Sequence, residues 1–68
     1  MDLNLTINGE IRRLPGPLTV AGLLEALGLA GGKVAVEQNL EIVPRSAWKD
    51  ETVADGDRFE IVRFIGGG

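Results

Sequence analysis

The chain has 68 residues, 44% of them hydrophobic, with seven basic against ten acidic side chains and a formal net charge of −3. That length holds one small domain around one core, the apolar content is too high for a disordered chain, and the charge argues against nucleic acid or an anionic membrane as partner. Cysteine and histidine are both absent, which excludes disulfides, thiolate nucleophiles, Cys/His zinc sites and an imidazole base.

A mildly acidic surface suits a partner that presents a basic patch. Phe59, Phe64 and Trp48 are the only aromatic residues, so aliphatic side chains must fill most of the core. The opening Met1-Asp2-Leu3-Asn4 has neither the basic region nor the long apolar run of a signal peptide. No apolar run approaches the roughly 20 residues needed to span a bilayer. The expectation is a soluble, cytoplasmic protein.

In chain order, Leu3, Leu5 and Ile7 alternate with Asp2, Asn4 and Thr6, the pattern of a half-buried strand. Asn8-Gly9 follows, a favoured hairpin turn because both residues tolerate positive φ. The return strand from Glu10 to Leu14 leaves its register open. A strict two-residue turn pairs Ile7 with Glu10 and sends Ile11 to the opposite face; a one-residue bulge near Gly9 would bring Ile11 inward. Pro15-Gly16-Pro17 ends the strand, since neither proline can donate to a ladder.

Thr19 can cap a helix, and Val20, Leu23, Leu24 and Leu27 fall at i, i+3, i+4 and i+7 to form one apolar stripe. Gly28 suits a left-handed residue that stops the helix. Gly22 inside it costs roughly 1 kcal/mol against alanine, so packing must support the helix. Gly28, Gly31, Gly32 and Lys33 do not make a phosphate loop. That spacing would need glycine at Leu27 and a hydroxyl residue at Val34.

Val34 and Val36 alternate with Ala35 and Glu37 as a third strand. Gln38-Asn39 is the expected turn, with Leu40 to Val43 returning until Pro44 stops the ladder. Arg45 to Ala54 is irregular by pattern. Trp48 is expected to plug the core beneath it, the alternative being an exposed partner contact, and Val53 is expected to turn inward. Asp55-Gly56-Asp57 turns the chain into a last strand, in which Phe59 and Ile61 alternate with Arg58 and Glu60.

This order predicts an α+β domain, a mixed sheet with one main helix packed on one face. With the final strand lying centrally beside the first, the arrangement is a β-grasp. Residues 1–65 form the expected single domain and 66–68 a flexible glycine tail.

The carboxylates Glu37, Glu41, Asp50, Glu51, Asp55, Asp57 and Glu60 read as turn and strand-exterior residues, without the convergent spacing of a metal or acid–base site. Ser46 has no base to activate it. The expectation is therefore a protein that is not an enzyme and binds no metal or cofactor of its own. If Phe59 and Ile61 face the core, Val62 and Phe64 share the outer face with Arg58 and Glu60, a candidate docking patch beside the tail; a bulge that tucks Phe64 inward is the alternative. Gly66-Gly67-Gly68 removes every side chain, so another backbone can approach closely. Taken alone the tail is either a functional end or a frayed end or appended linker.

The element order, the stretches VAVEQNLEIVPRSAW and DGDRFEIVRF and the terminal GGG together resemble the ubiquitin-like sulfur-carrier family, over Leu3 to Gly68. Val43-Pro-Arg-Ser46 and the short length point to its thiamine branch; Leu40 departs from it, standing where many relatives have glycine. The resemblance implies that an E1-like adenylyltransferase, using ATP and magnesium, converts the Gly68 carboxylate to an acyl-adenylate. Sulfur from a cysteine desulfurase or comparable donor then displaces AMP, and the resulting thiocarboxylate is passed to thiazole synthase. It also implies that Gly66 and Gly67 thread a narrow channel, and that Val62, Phe64 and Ile65 dock the partner. Alternatives are the small subunit of molybdopterin synthase, a tRNA-thiolation carrier and, from a different class, a β-grasp interaction module with an inert tail.

Overall fold

A computed structural model of the chain describes residues 1–64, and the expected domain boundary at 65 lies outside them. The first strand, β1 (Asp2–Ile7), buries Leu3, Leu5 and Ile7 and turns their alternating neighbours away from the core. It pairs antiparallel with β2 (Glu10–Pro15). Ile7 stands opposite Glu10, so the turn is the strict two-residue form, with Asn8 at φ 50° and Gly9 at φ 84°. No bulge intervenes, and Ile11 lies on the outer face, 81% exposed. Pro15 closes the ladder opposite Asp2.

A two-residue strand, β3 (Leu18–Thr19), leads into the helix α1 (Val20–Ala26). The Thr19 hydroxyl accepts a hydrogen bond from the Gly22 N–H at 3.1 Å, satisfying one of the free donors of the first turn. At the other end Leu27 is followed by Gly28 at φ 74°. The Gly28 N–H reaches the Glu25 carbonyl and the Leu29 N–H the Leu24 carbonyl, the paired bonds of a Schellman stop. Val20, Leu23 and Leu24 are fully buried, while Leu27 and Leu29 pack at the margin of the core.

The chain then forms β4 (Val34–Gln38) and β5 (Glu41–Val43), joined by Asn39-Leu40. The turn expected at Gln38-Asn39 is therefore one residue later, and the returning strand starts at Glu41. Gln38 cannot turn because it is still paired, on one side with Glu41 and on the other with Phe59. Both turn residues have positive φ, Asn39 at 52° and Leu40 at 73°.

The segment read as irregular contains a 3₁₀ turn (Arg45–Ala47) and β6 (Thr52–Val53), which pairs with β3. Trp48 is half-buried against the core. Its indole N–H donates to the Val43 carbonyl at 3.0 Å, and the Arg45 guanidinium lies 5.6 Å from its ring centre. Val53 is buried, as expected.

The last strand, β7 (Arg58–Arg63), runs parallel to β1 and antiparallel to β4 in a five-stranded sheet of order β2-β1-β7-β4-β5. Phe59 and Ile61 join Val36, Val43 and the β1 side chains on the face that α1 covers. Burying each of these side chains contributes about 1.5–3 kcal/mol, so the central position of β7 follows from its two large apolar residues.

Candidate functional site

The site is built outward from β7. Because Phe59 and Ile61 point to the core, Glu60 and Val62 point away, and Phe64 continues that alternation. Val62 is 58% and Phe64 59% exposed, so the inward-tucked alternative for Phe64 does not occur. The Phe64 N–H donates to the Lys33 carbonyl at 2.8 Å, which keeps its main chain against the start of β4.

Neighbouring strands complete the outer face. Ala35 stands opposite Val62, and Glu37 opposite both Glu60 and Ile42. Two like charges directly opposed across a ladder are unfavourable. Arg58 and the Asn39-Leu40 turn bound the same shallow hollow as Glu37 and Glu60. Leu40 and Ile42 project from the β5 side of this face. The face as a whole alternates apolar and acidic groups, with its apolar end at Val62 and Phe64.

Two asparagines that the sequence reading treated only as turn residues fasten β7 on its two flanks. Asn39 donates from its main chain to the Arg58 carbonyl at 2.8 Å, and its side-chain oxygen accepts from the Arg58 N–H at 3.0 Å. Asn8 does the same further along, with its N–H on the Phe59 carbonyl at 2.9 Å and its side chain on both main-chain groups of Ile61. The sequence signal available was the repetition itself: asparagine opens both turns next to the strand ends.

Asp57 closes a turn, as its sequence predicts, with its N–H on the Ala54 carbonyl at 3.0 Å, and its side chain does more. It is 9% exposed, and its carboxylate accepts from Gln38 Nε2 at 2.9 Å, Asn39 Nδ2 at 3.0 Å and the Ala54 N–H at 2.8 Å. Burial would push this carboxyl up, but the bonds from Asn39, Ala54 and Gln38 together outweigh it and hold the group below the usual aspartate value. Asp57 thus ties the β4–β5 turn and the end of β6 to the start of β7. Among the described residues, no group of three or more carboxylates could hold a metal ion, and no helix is long and apolar enough to cross a membrane.

Of the residues singled out by sequence, Val62 and Phe64 come together on one face beside the end of β7; Ile65, Gly66, Gly67 and Gly68 lie outside the described residues.

Comparison with known proteins places this geometry. The model of the ThiS family matches residues 5–68. A thiazole synthase of Paramagnetospirillum magneticum is 54% identical over 97% of this chain, which spans 20% of that protein's length. The sulfur carrier protein ThiS of Bacillus subtilis is 38% identical, over 94% of this chain and 98% of its own. The crystal structure of a thiamine biosynthesis protein (ThiS) from Geobacter metallireducens superposes with a TM-score of 0.82 and 43% identity, covering 97% of this chain and 100% of that one. A β-grasp sheet shared with that structure and a family match running from β1 through the final glycines lead to one conclusion: the chain belongs to the ThiS family.

Proposed function

We propose that this chain is a sulfur carrier for thiamine biosynthesis and that the Gly68 carboxylate is the group it carries sulfur on. The observation that supports this most directly is the family match, which runs through Gly66-Gly67-Gly68. A carboxylate is a poor electrophile. With an E1-like adenylyltransferase, ATP and magnesium, one carboxylate oxygen attacks the α-phosphate, forming a mixed acyl–phosphate anhydride with AMP and releasing pyrophosphate. Attack by the terminal sulfur of a persulfide on a cysteine desulfurase or comparable donor forms a C–S bond and breaks the C–O bond to AMP; a thiol then cleaves the S–S bond by exchange, ending as a disulfide, and a thiocarboxylate is left. The sulfur is soft, nucleophilic and ionised at neutral pH, and thiazole synthase is the proposed recipient. The 54% identity to part of a protein named thiazole synthase favours that destination.

In this reading the chain is a co-substrate and supplies no catalytic group. Gly66 and Gly67 thread the partner's channel, where a Cβ would obstruct passage. Val62, Phe64 and Ile65 form the docking contact; the exposure of Val62 and Phe64 on one face supports it. The test is an intact mass before and after incubation with ATP, magnesium, an adenylating partner and a sulfur donor. A shift equal to one sulfur replacing one oxygen is expected, and it should be lost when Gly68 is deleted. An unshifted mass, with a partner proven active on another carrier, would refute the proposal.

A further inference from the structure

The two flanks of β7 are not equal. On one side β4 accompanies it along its full length, from Gln38 opposite Phe59 to Val34 opposite Arg63. On the other side the pairing with β1 ends at Ile7 opposite Phe59, because β1 turns away at Asn8-Gly9 into β2. Asp57 and Phe59 turn their carbonyls to this side, accepting from Thr6 at 3.0 Å and from Asn8 at 2.9 Å. On this flank the next position, Ile61, has no strand residue beside it among the described residues.

The Asn8 side chain takes that place. Its Nδ2 donates to the Ile61 carbonyl at 3.1 Å and its Oδ1 accepts from the Ile61 N–H at 2.7 Å. A carboxamide is planar and offers one acceptor and a donor, as a peptide group does. The side chain therefore continues the ladder one step past the point where the backbone leaves it. Asn8 can do this only from the left-handed turn it occupies, φ 50°, which asparagine tolerates and most residues do not.

Resting on the sulfur-carrier reading above, we infer that Asn8 is a positioning residue: its amide stands in for a missing strand residue at Ile61 and helps fix the direction in which the end of β7 points. An enzyme that must receive Gly68 in a narrow channel binds only carriers whose last strand points into it. Releasing one flank of β7 spreads the exit over several directions, and the apparent affinity falls by the fraction still correctly aimed. Once the end is bound its geometry is set by the channel, so the chemical step is unaffected.

The test is Asn8→Gly. Glycine adopts this φ without strain, so the turn is kept while both side-chain bonds are removed. Adenylation of the full chain is measured by pyrophosphate release with the adenylating partner, ATP and magnesium, at a temperature where circular dichroism shows each variant fully folded. Loss of these two bonds is expected to raise KM for the carrier about five- to tenfold at unchanged kcat. Asn8→Asp, which keeps the acceptor for the Ile61 N–H but sets an oxygen against the Ile61 carbonyl, should fall between. A folded Asn8→Gly protein with wild-type KM overturns the inference, as does a fall in kcat at unchanged KM. Amide hydrogen exchange gives a second readout that needs no partner: protection should drop at Ile61, and unchanged protection there overturns the inference too. If the wild-type chain is not adenylated at all, it is the sulfur-carrier reading that fails, and exchange alone decides whether Asn8 pins Ile61.

Discussion

Leu40 occupies a backbone conformation that its side chain opposes, and replacing it with glycine should stabilise the protein. At φ 73° the Leu40 Cβ crowds the chain, at a cost of about 1–2 kcal/mol for an L-residue in the left-handed region. Glycine removes that cost but adds freedom to the unfolded chain, which offsets about 0.4–1 kcal/mol. The side chain is 90% exposed, so its loss forfeits only about 0.2–0.3 kcal/mol of burial. The balance is a gain of about 0.5 kcal/mol, equivalent to a Tm rise of roughly 2–4 °C for a domain of this size. Urea denaturation followed by the fluorescence of Trp48, the single tryptophan, measures it as a higher midpoint at unchanged slope. The first hairpin provides the reciprocal. Gly9 sits at φ 84° with open space where a Cβ would project, so Gly9→Ala should lose about 1 kcal/mol through backbone strain alone. A Leu40→Gly protein with an unchanged or lower midpoint would refute the strain argument.

Three further outcomes are expected. Gly16→Ala should cost about 1–3 kcal/mol in the same assay, because the new Cβ would lie 2.8 Å from Cδ1 and 2.9 Å from Cγ of the fully buried Leu3; unaltered stability would mean Leu3 can move aside. Asp57 has a folded-state pKa below its ordinary value, so its contribution is present above the unfolded value of about 3.9 and is lost as pH falls through the folded one. Wild-type stability should therefore decline below about pH 4 more steeply than that of Asp57→Asn, which should itself lose about 1–3 kcal/mol at neutral pH; parallel pH profiles would show that this carboxylate is not responsible. Val62→Asp or Phe64→Asp should weaken binding to the adenylating partner without changing the unfolding midpoint by more than about 0.5 kcal/mol, and a folded variant with wild-type affinity would mean the docking patch lies elsewhere.

Much of the fold was legible because its signals are local. The alternation in Leu3-Asn-Leu-Thr-Ile7, the cap at Thr19, the stop at Gly28 and the period-two pattern around Phe59 all appear in the structure where the pattern put them. Local signals ran out where tertiary pairing decided the matter. An exposed edge strand needs no buried partner for Ile11, so its apolar character carried no register information. Leu40 gave no sign of a left-handed turn, since the residue that normally marks one is glycine. The strands Leu18–Thr19 and Thr52–Val53 are too short to have a period. Asp57 looked like any turn carboxylate until the chain brought Gln38 and Asn39 to it from the other hairpin. In the candidate site, the outward placement of Val62 and Phe64 followed from Phe59 and Ile61. The clamping by Asn8 and Asn39 did not, because a side chain acting as backbone leaves no periodic trace.

The parallel pairing of β1 and β7 also has a mechanical meaning. Asp2 begins β1 at one end of the sheet's strands, and Arg63 ends the neighbouring β7 at the opposite end. Tension applied beyond Arg63 therefore runs along the strand axis and loads the ladders on both flanks in shear. Hydrogen bonds in that geometry share the load and must yield together, whereas a strand peeled from an edge gives them up one at a time. The end of β7 is thereby held along its strongest direction.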